Sequence, residues 1–251
     1  MSGHNKWSTI KRKKGVADAK RGQIFTRLAR EIAIAAREGG SEIESNFKLR
    51  LAVERARAEN MPKDNMERAI KRGTGDDKSG VDIERITYEG YASNGIAVLV
   101  DCLTENKNRT IAEIRHVLSK CGGSMAEVGS VSWQFKHICY FSIPAENTNF
   151  DKVFELAVES GADDITNDGD YIEIIGPVDR YKEISDRLKA AGFEADESDL
   201  RFLPKQEIGL DTDKTLKVMA VIETLEELDD VQSVYSNLEI SDEVLTALES
   251  E

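Results

Sequence analysis

Between residues 137 and 203 the hydrophobic pattern changes period in a fixed order of strand, helix, strand, strand, helix, strand, and few folds satisfy that order. Strands are predicted at Ile138–Ile143, Asp163–Thr166, Tyr171–Ile175 and Phe193–Phe202, with helices at Phe150–Ser160 and Val178–Ala191. Asn167-Asp168-Gly169 supplies a tight hairpin between the second and third strands. The result is βαββαβ, the split βαβ unit of ferredoxin-like sandwiches. The flanks carry strand 95–103, helix 109–121 and strand 129–135 on one side, and strand 205–209, helix 213–228 and strand 231–236 on the other. Joined across the middle they spell the same order, so one α/β domain is expected to be inserted into another. A strand at Glu84–Tyr91 precedes them, and Ser241–Glu251 reads as an acidic tail or frayed helix.

Ahead of this lies a region of helical period. A first helix is predicted from Asp18 to Glu38, with Ile24, Leu28, Ile32 and Ala35 on one stripe and Lys20, Arg27, Arg30 and Arg37 on another; Gly39-Gly40 ends it. A second runs from about Asn46 to Glu59, with Leu49, Val53 and Ala56 inward and Pro62 barring its continuation. A third, Asp64 to Arg72, is expected to be capped by Asp64 and stopped by Gly73. The Gly- and charge-rich segment Gly73–Gly80 reads as a linker. The fold class expected is therefore α+β: a helical N-terminal domain and two ferredoxin-like α/β domains, one inserted in the other. Expected limits are 1–75, 83–135 with 205–238, and 136–204.

Net charge is −13, which by itself discourages binding to nucleic acid, but the charge is segregated. Residues 1–72 hold 18 Lys+Arg and 9 Asp+Glu, net +9; residues 73–251 hold the other 16 and 38, net −22. Within the first 30 positions Lys6, Lys11, Arg12, Lys13, Lys14, Lys20, Arg21, Arg27 and Arg30 face Asp18 alone. Such asymmetry is the footprint of a polyanion-binding arm. Cations this dense repel one another unless a polyanion neutralises them, and each neutralised phosphate releases a counterion. Trp7 has two open readings, a stack on an exposed base or a place in the core.

Other features point to ordinary roles. Lys107 and Arg109, with the free amides of a helix start, are a secondary anion-binding candidate, though a cap by Thr110 is the simpler reading. Setting Asp164 as the first position of a calcium loop puts Gly169 sixth but Ile175 twelfth in place of Glu, so no metal is assigned there. His4, His116 and His137 stand far apart, and Cys102, Cys121 and Cys139 show neither metal nor disulfide spacing; the cysteines read as reduced, buried small hydrophobes. No phosphate-loop or dinucleotide glycine pattern occurs, so neither an enzyme nor a cofactor is predicted. The longest strand-like apolar run is Ile96–Val100, far short of the roughly 20 residues of a membrane span. The polar, basic opening lacks the apolar core of a signal peptide, so the expected location is cytoplasmic, with no membrane partner.

Several strings resemble the YebC/PmpR family: Gly3-His4-Asn5-Lys6-Trp7 with Ile10-Lys11, Asp18-Ala19-Lys20-Arg21, Asn60-Met61-Pro62-Lys63-Asp64-Asn65, Tyr88-Glu89-Gly90-Tyr91 and Asn106-Lys107-Asn108-Arg109-Thr110. Gly122-Gly123 and Gly129-Ser130-Val131 also fit. Asn5, Glu105 and Lys107 depart from the Ser, Asp and Arg that many members carry, and Lys in place of Arg weakens bidentate phosphate contact at 107. The resemblance implies three domains around a cleft. It also implies either a probable transcriptional regulator that binds DNA or a ribosome-associated translation factor that binds ribosomal RNA. No helix-turn-helix with a recognition helix is visible, which handicaps base readout in DNA and does not handicap recognition of RNA shape. A third reading, an enzyme acting on a small anionic ligand in the cleft, predicts an activity that survives loss of the arm. Oligomeric state is not legible in the sequence.

Overall fold

Helix α1 (Asp18–Gly39) begins the part of the chain that the computed structural model describes, residues 18–75 and 83–249. Its predicted stripe is buried at Leu28, Ile32 and Ala35, with Ile24 partly so. Against it pack α2 (Phe47–Ala58), through Leu49, Val53 and Ala56 as predicted, and α3 (Lys63–Thr74), through Met66 and Ala69. Buried Asn46 couples the first two helices. Its Oδ1 accepts from the Leu49 amide at 3.1 Å, capping α2, while its Nδ2 donates to the Ala35 and Gly40 carbonyls at 2.7 and 2.8 Å. One side chain thus caps the start of α2 and ties it to the last turn of α1 and the residue after it.

The boundaries of α3 correct the prediction. Pro62 stands at its N-cap, Asp64 makes no cap, and the helix runs through Gly73 to a left-handed Gly75 with φ +83°. Gly73 is there for packing: a Cβ on it would lie 2.1 Å from the Ala33 carbonyl oxygen of α1. Only a residue without a side chain admits that approach.

The described chain divides into two compact units. In the first, which also contains the three helices, β1 (Glu84–Tyr91) and β2 (Ala97–Thr104) form an antiparallel hairpin in register Glu84↔Thr104 to Tyr91↔Ala97. Next come α4 (Lys107–Lys120) and the two-residue β3 (Ser124–Met125); later come α7 (Thr212–Glu226), β8 (Val231–Ser236) and α8 (Asp242–Glu249). Sheet order is β3-β1-β2-β8, with neighbours antiparallel. Strand β2 is apolar almost throughout because both faces are covered. Val98, Val100 and Cys102 join the core beneath α4 and α7, and Leu103 meets Ala33 and Ile34 of α1.

This sheet corrects three expectations. The strand between β3 and β2 is β1, not a strand at 205–209, where the only pairing is the isolated bridge Ile208↔Leu238. Residues 129–134 are not a strand either: they form a turn, bends and a short 3-10 segment, Ser132–Gln134, and only Phe135 is extended, as the first residue of the following strand. Of the two readings of Ser241–Glu251 the acidic tail is the one overturned: Asp242–Glu249 are helical, and Val244 and Leu245 of this α8 are buried in the core.

The second unit spans Phe135–Lys205 and contains β4 (Phe135–Pro144), α5 (Phe150–Glu159), β5 (Asp164–Asn167), β6 (Tyr171–Pro177), α6 (Tyr181–Ala190) and β7 (Glu197–Pro204). Its order, β5-β6-β4-β7, is the ferredoxin-like sheet read from the sequence. The acidic loop is a hairpin. Asp168 Oδ1 accepts from the amides of Asp170 and Tyr171 at 3.0 and 2.8 Å, and Gly169 takes φ +98°. The fold is α+β.

Two cysteines are buried as expected; Cys121, at the end of α4, is only half-buried. Burial pushes the Cys139 thiol up to about 11, which keeps it protonated and unreactive. Among the described residues no group of three or more His, Cys, Asp or Glu is placed to hold a metal, and no helix is long and apolar enough to cross a membrane.

Candidate nucleic-acid interface

Of the ten residues assigned to the basic grip, Lys6, Trp7, Lys11, Arg12, Lys13 and Lys14 lie outside the described residues. Lys20 and Arg21 sit on the first turn of α1, with their side chains outside the described set. The last two, Arg27 and Arg30, are turned toward the body of the protein.

Their target is the end of α7. That helix has no basic residue in its last turn, so its terminal carbonyls and negative dipole end need a donor from elsewhere. Arg27 Nη2 donates to the Glu226 carbonyl and, at 3.2 Å, to that of Leu228. Arg30 Nη1 donates to the Asp229 carbonyl at 2.7 Å and stands 3.1 Å from Asp230 Oδ1. Burial lowers the Arg27 guanidinium from its ordinary range, with Glu226 and Asp229 opposing that shift.

Asp230 is the hub of the contact and is fully buried. Its Oδ2 accepts from Arg109 Nη2 at 2.7 Å, Thr110 Oγ1 at 2.7 Å and Thr104 Oγ1 at 3.0 Å. Burial alone would raise its pKa; the hydrogen bonds from Arg109, Thr110 and Thr104 outweigh it and hold the carboxyl below the usual carboxylate range. Arginines from α1 and α4 therefore converge on one carboxylate at the start of β8. A buried charge in this position is tolerable only when all its partners are present.

The secondary anion candidate also has internal partners. Asn106, not Thr110, caps α4: its Oδ1 accepts from the Arg109 amide at 3.2 Å, and Thr110 turns to Asp230 instead. Lys107 pairs with Glu84 at 2.6 Å, both side chains being about half-exposed. Arg109 is half-exposed too, so one side of its guanidinium meets solvent while the other meets Asp230.

The described surface adds cations that were not singled out from the sequence, among them exposed Arg57 on α2 and Lys71 on α3. Helical period places both on polar faces, which is the signal that would have found them. Asp230 carries no such signal, because its partners come from positions 30, 104, 109 and 110.

A model of the TACO1/YebC protein N-terminal domain matches residues 5–76, and one of the TACO1/YebC second and third domain matches residues 83–238. A probable transcriptional regulatory protein of Borrelia turicatae is 51% identical over 244 residues, covering 97% of this chain and 100% of the relative. One from Desulforapulum autotrophicum is 47% identical, covering 99% and 100%. The crystal structure of a conserved hypothetical protein from Aquifex aeolicus superposes with a TM-score of 0.83 at 39% identity, covering 91% of this chain and 94% of that one. The chain belongs to the TACO1/YebC family.

Proposed function

We propose that this protein is a non-enzymatic regulator of gene expression that binds DNA through its basic N-terminal arm. The observation that carries the reading is the charge segregation, net +9 over residues 1–72 against −22 over the rest. A chain of this overall charge is repelled by a polyanion unless the cations are gathered where they act together. The names of its relatives, probable transcriptional regulatory proteins, support the regulatory part of the reading.

The two ends of the basic segment have separate tasks in this proposal. Arg27 and Arg30 seat α1 on the carbonyls and carboxylate at 226–230, and the arm from Lys6 to Lys14, with Lys20 and Arg21, meets the phosphates. Lys107 and Arg109 are secondary contacts.

Charge reversal of Lys11, Arg12, Lys13 and Lys14 to Glu is expected to abolish DNA binding near physiological salt without unfolding the protein. Neutralising the same four is expected to flatten the plot of log K against log salt by about 3–4, near one unit per lost phosphate contact. Unchanged affinity at low salt removes the arm from the interface. Crosslinking in cells followed by sequencing then identifies the polymer: promoter DNA supports the proposal, and ribosomal RNA replaces DNA as the target.

A further inference from the structure

Helix α5 of the second unit is capped by Asn149, whose Oδ1 accepts from the Lys152 amide at 3.2 Å, and it buries Val153 and Ala157. Its apolar face is wider than the part the unit covers. At 100° per residue Phe150, Phe154 and Val158 form a line of neighbours four apart beside the buried pair. Phe150 is half-buried, whereas Phe154 and Val158 are 46% and 53% exposed. The rings of Phe150 and Phe154 meet with centroids 5.9 Å apart, which holds the outer ring in place. One residue further round the helix runs a second line, Asp151, Glu155 and Glu159. Like charges at this spacing destabilise a helix. Among the described residues only Glu159 of the three has a cation within ion-pair distance, Arg187 of α6 at 3.1 Å.

An exposed apolar line beside an acidic one is the complement of a helix that sets an apolar line beside a basic one. The rest of the unit has the same sign of charge: residues 135–205 hold 8 Lys+Arg and 16 Asp+Glu, net −8. That charge turns a polyanion away, so this face is not a surface for nucleic acid. It also opposes a two-fold contact with a second copy, which would set the two acidic lines against each other. From Phe150 to Val158 the stripe is about 12 Å long at 1.5 Å rise per residue, a length that about two turns of a partner helix cover.

We propose that the outer face of α5 docks a basic amphipathic helix of a partner protein. Phe154 and Val158 take its apolar side chains, and Asp151 and Glu155 take its Lys or Arg. The proposal does not rest on the nucleic-acid reading above; it gives the acidic unit a protein partner of opposite charge.

The probe is a dye-labelled peptide of Leu and Lys, about 18 residues or five helical turns long, with its Leu gathered on one face. It is titrated with the full chain and followed by anisotropy, beside a control peptide of the same composition whose Leu are spread round the helix. Phe154→Ala is expected to weaken binding of the amphipathic peptide by about 5- to 30-fold, the range for truncating an anchor side chain. Glu155→Gln is expected to weaken it by less, up to about 5-fold as for one exposed ion pair, and to flatten its dependence on salt. Both side chains are exposed, so neither variant is expected to lower the unfolding midpoint. Native affinity in Phe154→Ala, equal affinity for the control peptide, or no binding by the unaltered chain each overturns the proposal. Two further measurements on Phe154→Ala separate the other occupants. Loss of DNA binding assigns the face to nucleic acid, and a changed association state in sedimentation velocity with unchanged peptide affinity assigns it to a second copy; either outcome overturns the proposal.

Discussion

Asp230 shows how one side chain is fixed by residues that are remote in sequence. It receives hydrogen bonds from Thr104, Arg109 and Thr110 and an ion pair from Arg30. Asp230→Asn strands the mostly buried Arg30 and is expected to cost about 3 kcal/mol, the low end for breaking a buried pair, because half-exposed Arg109 rehydrates. The sign with pH follows from the direction of the shift. The folded carboxyl is depressed, so its contribution is complete above the ordinary carboxylate value near 3.9 and is lost as pH falls through the folded value. Urea midpoints at pH 7 and at successively lower pH check this: the gap between the native chain and Asp230→Asn narrows only below about pH 4. A constant gap removes the carboxylate from the account.

Two glycines of the helical layer are expected to respond oppositely to the same methyl group. At Gly73 of α3 a Cβ would meet the Ala33 carbonyl oxygen at 2.1 Å, and backbone cannot yield cheaply there. Gly73→Ala is expected to destabilise by about 1–3 kcal/mol or more, overriding the gain in helix propensity of about 1 kcal/mol. At Gly22 of α1 nothing lies within 4 Å, so Gly22→Ala is expected to stabilise by about 0.5–1 kcal/mol. Thermal unfolding of both variants decides the matter, and like signs would contradict the described packing of α1 and α3.

Across the whole molecule, in the function proposed above, the cations of the first 30 residues sort by partner, and sequence proximity alone does not separate the two sets. Arg30 is bonded to Asp229 and Asp230, whereas the positions from Lys6 to Lys14 are those proposed to meet phosphate. Arg30→Gln is therefore expected to lower the unfolding midpoint and leave the salt slope of DNA binding unchanged, the reverse of the outcome for the neutralised arm. Binding isotherms at several salt concentrations measure the slope. A slope that flattens in Arg30→Gln returns this arginine to the interface.

The hydrophobic periods of the sequence alone determined the three helices, the ferredoxin-like order of residues 137–203 and strands such as Glu84–Tyr91 and Val231–Ser236, because burial of one face imposes a local repeat. Glycine was read less well: Gly73 has the composition of a helix stop and the function of a close contact. The strand expected at 129–135 is absent over 129–134, where Glu89 takes up the amides of Gly129, Val131 and Ser132. The place of β1 between β3 and β2 likewise follows from pairings that no local pattern encodes. At the candidate site, the density of positive charge was legible, while the diversion of Arg27 and Arg30 to the end of α7 was decided by the tertiary structure. Periodicity is a property of neighbours along the chain; the choice of partner for a charge or an amide depends on which distant carboxylate or carbonyl the fold brings within 3 Å or so.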